Sequence, residues 1–135
     1  MRCLVAPIVA VLLCAGCSST PPPTSQELAA ADYGPYPHQY QAKIATYLQT
    51  TLKDPESARL STPFVPKKTY AGLNRPVYGW GTCMGVNAKN SFGGYAGTKI
   101  YFFLFRDGEI SMVERAEDAN SFATEYVSNL CKRLI

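Results

Sequence analysis

Between residues 40 and 52 the apolar positions recur at a helical period. Tyr40, Ile44, Tyr47, Leu48 and Leu52 stand at steps of +4, +7, +8 and +12, one stripe of an amphipathic helix. Pro37 suits its first position, where no amide hydrogen is needed. The segment Asp54-Pro55-Glu56-Ser57-Ala58 stops it, because Pro55 disfavours helical geometry at Asp54. Asp54 can cap a short second turn. From Arg59 to Ala71 the pattern is extended but broken by Pro63 and Pro66, which confines it to a sheet edge. Residues 77–86 alternate. Tyr78, Trp80, Thr82, Met84 and Val86 share one face, and Val77, Gly79, Gly81, Cys83 and Gly85 the other. A strand face rich in glycine leaves room for another backbone. Residues 99–115 carry two apolar, aromatic-rich runs around Asp107-Gly108, a type I′ hairpin signal. The first run is apolar on both faces and so predicts a central strand. A last helix follows, with Asp118 or Asn120 as its cap. Phe122, Tyr126, Leu130 and Leu134 form one stripe, and Ala123, Val127 and Cys131 the next.

These elements predict an α+β domain over residues 37–135. It is a small antiparallel sheet of three to four strands with an N-terminal and a C-terminal helix packed on it. A domain of about 100 residues buries a modest core and gains from a covalent staple. No internal repeat is present.

The first seventeen residues, MRCLVAPIVAVLLCAGC, have a different pattern. Arg2 precedes an apolar run from Cys3 to Leu13, the length of a signal peptide's hydrophobic region and too short to span a bilayer. Ala15 and Gly16 are small residues directly before Cys17. The stretch resembles a bacterial lipoprotein signal, with Cys14 where a Leu is usual and Leu12 and Leu13 just upstream. The resemblance implies a signal peptide at 1–16, removed before Cys17, and acylation of Cys17, with palmitate among the expected chains. The alternative is an ordinary secretory signal cut near Ala15. Three acyl chains make a firm membrane anchor. Ser18 follows the cysteine, so no Asp retention signal is present, and the resemblance implies the periplasmic face of the outer membrane. Residues 17–36 then read as the lipidated Cys and a tether, Pro21–Pro23 favouring an extended form that holds the domain off the membrane.

In that setting Cys3 and Cys14 leave with the signal and Cys17 takes lipid. Cys83 and Cys131 remain, and an oxidising periplasm makes a disulfide their simplest fate. A metal site would need more ligands, and His38 is the single histidine. Net charge is +3, too mild and scattered for nucleic acid. Phosphate-cradling glycine motifs are missing. Neither metal, cofactor nor nucleic acid is expected.

The segment 85–99, GVNAKNSFGGYAGTK, is the strongest candidate site. Val86-Asn87-Ala88-Lys89-Asn90, Phe92-Gly93-Gly94-Tyr95 and Gly97, together with Asp54-Pro55, Ser57 and Ala58, resemble the D-P-x-S-A and V-N-A-K-N-x-F-G-G-Y-x-G motifs of small uncharacterised bacterial secreted proteins and lipoproteins. The resemblance implies shared architecture and no reaction. Between Gly85 and Lys99 there is no His, Cys, Asp or Glu, so general acid–base work would fall on lysines or Tyr95. No catalytic residue is assigned, and the protein is not expected to be an enzyme. Two readings remain. In one the loop is a connection, with Phe92 and Tyr95 tucked back. In the other it binds a partner through Lys89, Asn90, Phe92 and Tyr95, residue types suited to adaptable recognition. Backbone amides at Gly93-Gly94 are a weak candidate anion nest. Trp80 reads as core rather than a sugar platform. The leading functional expectation is a non-enzymatic outer-membrane lipoprotein whose periplasmic domain binds an envelope protein partner. The rivals are an inhibitor of a cell-wall hydrolase, similar in role to a lysozyme inhibitor, and a peptidoglycan-acting enzyme.

Overall fold

Residues 99–106 read Lys-Ile-Tyr-Phe-Phe-Leu-Phe-Arg, and no strand with that sequence can leave either face in water. The computed structural model describes residues 21–135. The expected signal peptide and Cys17 lie outside the described residues. The elements in order are α1 (Ser25–Ala30), α2 (Tyr40–Thr51), a 3-10 turn (Pro55–Ser57), β1 (Arg59–Leu60), β2 (Lys67–Ala71), β3 (Val77–Asn87), β4 (Lys99–Arg106), β5 (Glu109–Arg115) and α3 (Phe122–Lys132).

The fold is α+β. β3, β4 and β5 form an antiparallel meander, and β1 and β2 both pair with the free side of β3. The sheet thus has five strands, more than the three to four expected. Pro63 and Pro66 split the 59–71 edge into two short strands. The split is partial, since Ser61 and Phe64 still donate to the carbonyls of Gly85 and Cys83.

β4 is central, as its pattern predicts. Phe102, Phe103, Leu104 and Phe105 have no solvent exposure. Alternation sends Tyr101, Phe103 and Phe105 to one face, where Ile44 and Leu48 of α2 cover them. Phe102 and Leu104 go to the other face, under Val127, Leu130 and Leu134. The two helices therefore lie on opposite faces, in three layers. The hairpin turn has positive φ at both Asp107 (53°) and Gly108 (80°), as a type I′ turn requires.

Several local expectations shift. α2 starts at Tyr40, with Pro37 in the preceding turn, whose carbonyl accepts from the Tyr40 amide. Ser121 caps α3 by accepting from the Thr124 amide at 3.2 Å, in place of Asp118 or Asn120. The buried stripe of α3 is Val127, Leu130 and Leu134, flanked by Cys131. Phe122 stays exposed and stacks on Tyr126. The glycine face of β3 admits a backbone at Gly79, where a Cβ would lie 2.3 Å from the Phe105 carbonyl oxygen, and side chains at Gly81, where it would lie 2.5 Å from Thr69 Cγ2 and 2.9 Å from the Phe102 ring.

The segment expected as a tether carries structure. Thr24 and Glu27 close a capping box on α1, Asp32 pairs with Arg106 at 2.9 Å, and the Gly34 carbonyl accepts from the Trp80 indole at 3.0 Å. Contacts with the sheet therefore begin upstream of Tyr36. They rest on single polar residues and isolated aromatics, which leave no periodic trace.

Cys83 and Cys131 form a disulfide, with Cα atoms 5.9 Å apart and a sequence separation of 48. It ties β3 to α3. Closing a loop of that length stabilises the fold by about 4 kcal/mol in the chain-entropy model. The Cys83→Ala/Cys131→Ala double variant should lose stability of that order in denaturant titrations. Two reactive thiols in the unfolded, unreduced protein would overturn the bridge.

Candidate functional site

β3 runs straight into the 88–98 segment, and the ladder continues for two more steps. Lys89 bridges Tyr95, the Asn90 amide donates to the Gly94 carbonyl at 2.7 Å, and the Ala96 amide to the Ala88 carbonyl at 3.1 Å. The turn is closed by one side chain. Asn90 Oδ1 accepts from the amides of Phe92 (2.9 Å) and Gly94 (3.1 Å), an Asx-type closure. Gly93 and Gly97 have φ of 81° and 89°, the left-handed region that glycine reaches without strain. The Gly93 and Gly94 amides both bond to Asn90, so they are not available as an anion nest.

The hairpin is braced at its base by the 53–59 segment. The Tyr95 hydroxyl donates to the Ser57 carbonyl at 2.9 Å. The Arg59 guanidinium lies 4.2 Å above the Tyr95 ring, within cation–π range. Lys89 Nζ is 3.6 Å from Asp54 Oδ2, and the Lys53 ammonium bonds to Ser91. The two motif segments, 54–58 and 86–97, thus lie side by side and form one unit.

This geometry separates the residues that the sequence grouped. Asn90 shapes the turn. Lys89 and Tyr95 brace the base, Tyr95 remaining 40% exposed. Phe92, at the tip, is 97% exposed and has no structural task. It neither tucks back nor packs on a neighbour. At the root, the buried Asn87 Oδ1 has no hydrogen-bond partner among the described residues.

Asp54 is held below the usual carboxylate range by the hydrogen bond from Ser57 and by the charge of Lys89. It is therefore ionised at neutral pH and a poor proton donor. Among the described residues no group of three or more His, Cys, Asp or Glu is placed to hold a metal ion. No helix among them is long and apolar enough to cross a membrane.

One feature escaped the sequence reading. A groove of about 560 Å³ runs between α3 and the sheet, floored by Gly85 and Ile100 and walled by Thr124, Ser128 and the disulfide. The glycine at 85 facing the alternating Ile100 was its signal. The groove is mostly apolar, and Ser128 and Lys132 are among its lining residues. Compared with models of known families, with curated proteins and with solved structures, the chain finds no match.

A carboxylate with a depressed pKa stabilises its contacts above its unfolded value, and that contribution is lost as pH falls through the folded value. Acid should therefore release the Lys89–Asp54 brace below about pH 4. An NMR titration should show the Ser57 and Lys89 amides shifting together, with Asp54→Asn abolishing the transition. A midpoint at or above the ordinary aspartate value would contradict the brace.

Proposed function

We propose that this protein is a non-enzymatic outer-membrane lipoprotein, acylated at Cys17, whose periplasmic domain binds an envelope protein partner through the 87–97 hairpin. In this reading Phe92 is the central contact. The observation that carries the reading is a fully exposed Phe on a turn whose other residues are tied down. Burying such a side chain is worth about 1.5–3 kcal/mol, and a pre-ordered loop loses little entropy on binding. Lys53, Arg59 and Lys89 near the base, against Asp54 and Glu56, favour an apolar pocket rimmed by carboxylates.

A second reading uses the same feature. A narrow hairpin stiffened by Asn90 and Tyr95 has the form of a plug for the cleft of a cell-wall hydrolase. Inhibition of lysozyme by the purified protein distinguishes it from general envelope binding. A peptidoglycan-acting enzyme is the least supported reading, because the hairpin offers no acid–base pair.

Phe92→Ala should leave unfolding within about 0.5 kcal/mol of wild type. It should weaken capture of the cross-linked envelope partner by about 2 kcal/mol or more, near thirtyfold in affinity. Tyr95→Ala should lower stability as well as weaken capture, since it also removes the brace. Unchanged capture by a folded Phe92→Ala protein would remove the hairpin tip from the binding site.

A further inference from the structure

The described part of the expected tether is docked. Pro21–Pro23 line one shallow pocket with Tyr70, Gly72, Leu73 and Arg133, α1 follows with its capping box, and Asp32 is held by Arg106. Three residues, Ser18 to Thr20, separate Cys17 from this stretch. The four steps from Cys17 to Pro21 reach at most about 14 Å. A lipid on Cys17 therefore keeps the 72–76 turn close to the bilayer.

We propose that the domain rests on a surface of anionic phospholipid headgroups through the 72–76 turn and Arg133, with the Phe92 hairpin held at the far end. This rests on the acylation of Cys17. The turn has the chemistry for it. Leu73 is 61% exposed, and Asn74 and Arg75 are exposed beside it. Neither Arg75 nor Arg133 pairs with a carboxylate among the described residues. An apolar side chain flanked by guanidinium groups suits the headgroup layer, where basic residues gain from negative surface potential.

The turn is also rigid. Gly72 has φ 117°, and a Cβ there would lie 2.3 Å from the Arg75 carbonyl oxygen. The Gly72 amide donates to the Tyr126 hydroxyl at 2.7 Å, tying the turn to α3. β3 begins at Val77, directly after the turn, and ends at Asn87, where the hairpin starts. Its 11 residues set the two ends about 33 Å apart at strand rise. The anchored end and Phe92 thus occupy opposite ends of one strand, and the tip faces away from the membrane that holds the protein.

The mature acylated chain, reconstituted into vesicles of phosphatidylethanolamine and phosphatidylglycerol, tests this. Leu73→Trp and Phe92→Trp are each compared with wild type, whose Trp80 gives a constant background. Lipids brominated near the headgroup act as quencher. The emission added at position 73 should shift to the blue and be mostly lost, while that at 92 should be unaffected. Asn74→Trp serves on the same turn if Leu73→Trp does not fold. Arg75→Glu with Arg133→Glu should restore the quenched emission. Palmitate labelling of the same samples separates the two ideas. A labelled protein whose position 73 is quenched no more than position 92 overturns the docking and leaves the anchor standing. An unlabelled protein overturns the acylation, and the docking geometry falls with it.

Discussion

The rest of the molecule depends on a strand that must be dry on both faces. Phe102, Phe103, Leu104 and Phe105 point alternately to opposite sides of the sheet. Each needs a cover, and one helix can shield only one face. α2 and α3 are the covers, so the three-layer arrangement follows from four consecutive side chains. At about 1.5–3 kcal/mol per buried large apolar side chain, leaving either face open would cost a large part of the stability a domain this size has. The same demand puts β4 in the middle, because only flanking strands on both sides keep its edges from water.

The remaining edges are handled differently. On one side, β1 and β2 make a short, proline-broken edge. On the other, β5 carries Glu109, Glu114 and Arg115 and pairs across an irregularity between Leu104 and Phe105. Both devices discourage unplanned strand pairing. The exposed large apolar side chains include Phe64, Val65, Phe122 and Ile135, and two more lie at the ends of β3. One end holds the turn with Leu73, and the other holds the hairpin with Phe92. The disulfide lies in the same strand and joins it to α3, so the long strand that carries both ends is also covalently fastened to a covering helix.

The hairpin itself divides labour between shape and contact. Asn90, Gly93 and Gly97 give the turn its backbone, and Lys89 and Tyr95 fasten it to the 53–59 segment. That assignment accounts for most of the unusual residues in the stretch and leaves Phe92 as the residue without a structural reason. One expectation placed Phe92 inward, and the other treated Lys89, Asn90, Phe92 and Tyr95 as contacts of the same kind.

Periodicity in the sequence by itself determined the main elements. The 3.6-residue stripe of α2, the alternation of β3, the two-sided apolar run of β4 and the Asp107-Gly108 turn are local signals, set by backbone geometry within a few residues. The pairing of Cys83 with Cys131 was legible too, because once the upstream cysteines were assigned only two remained. Tertiary structure alone decided which helix covers which face, since an apolar stripe says that a surface is needed and not which one. It also decided that Asp32 and Gly34 dock on the sheet, and that Tyr95 meets Ser57 and Arg59. Those contacts join residues tens of positions apart through single hydrogen bonds or rings. A partner chosen by spatial coincidence imposes no period on the chain, so it becomes visible only when the two segments are brought together.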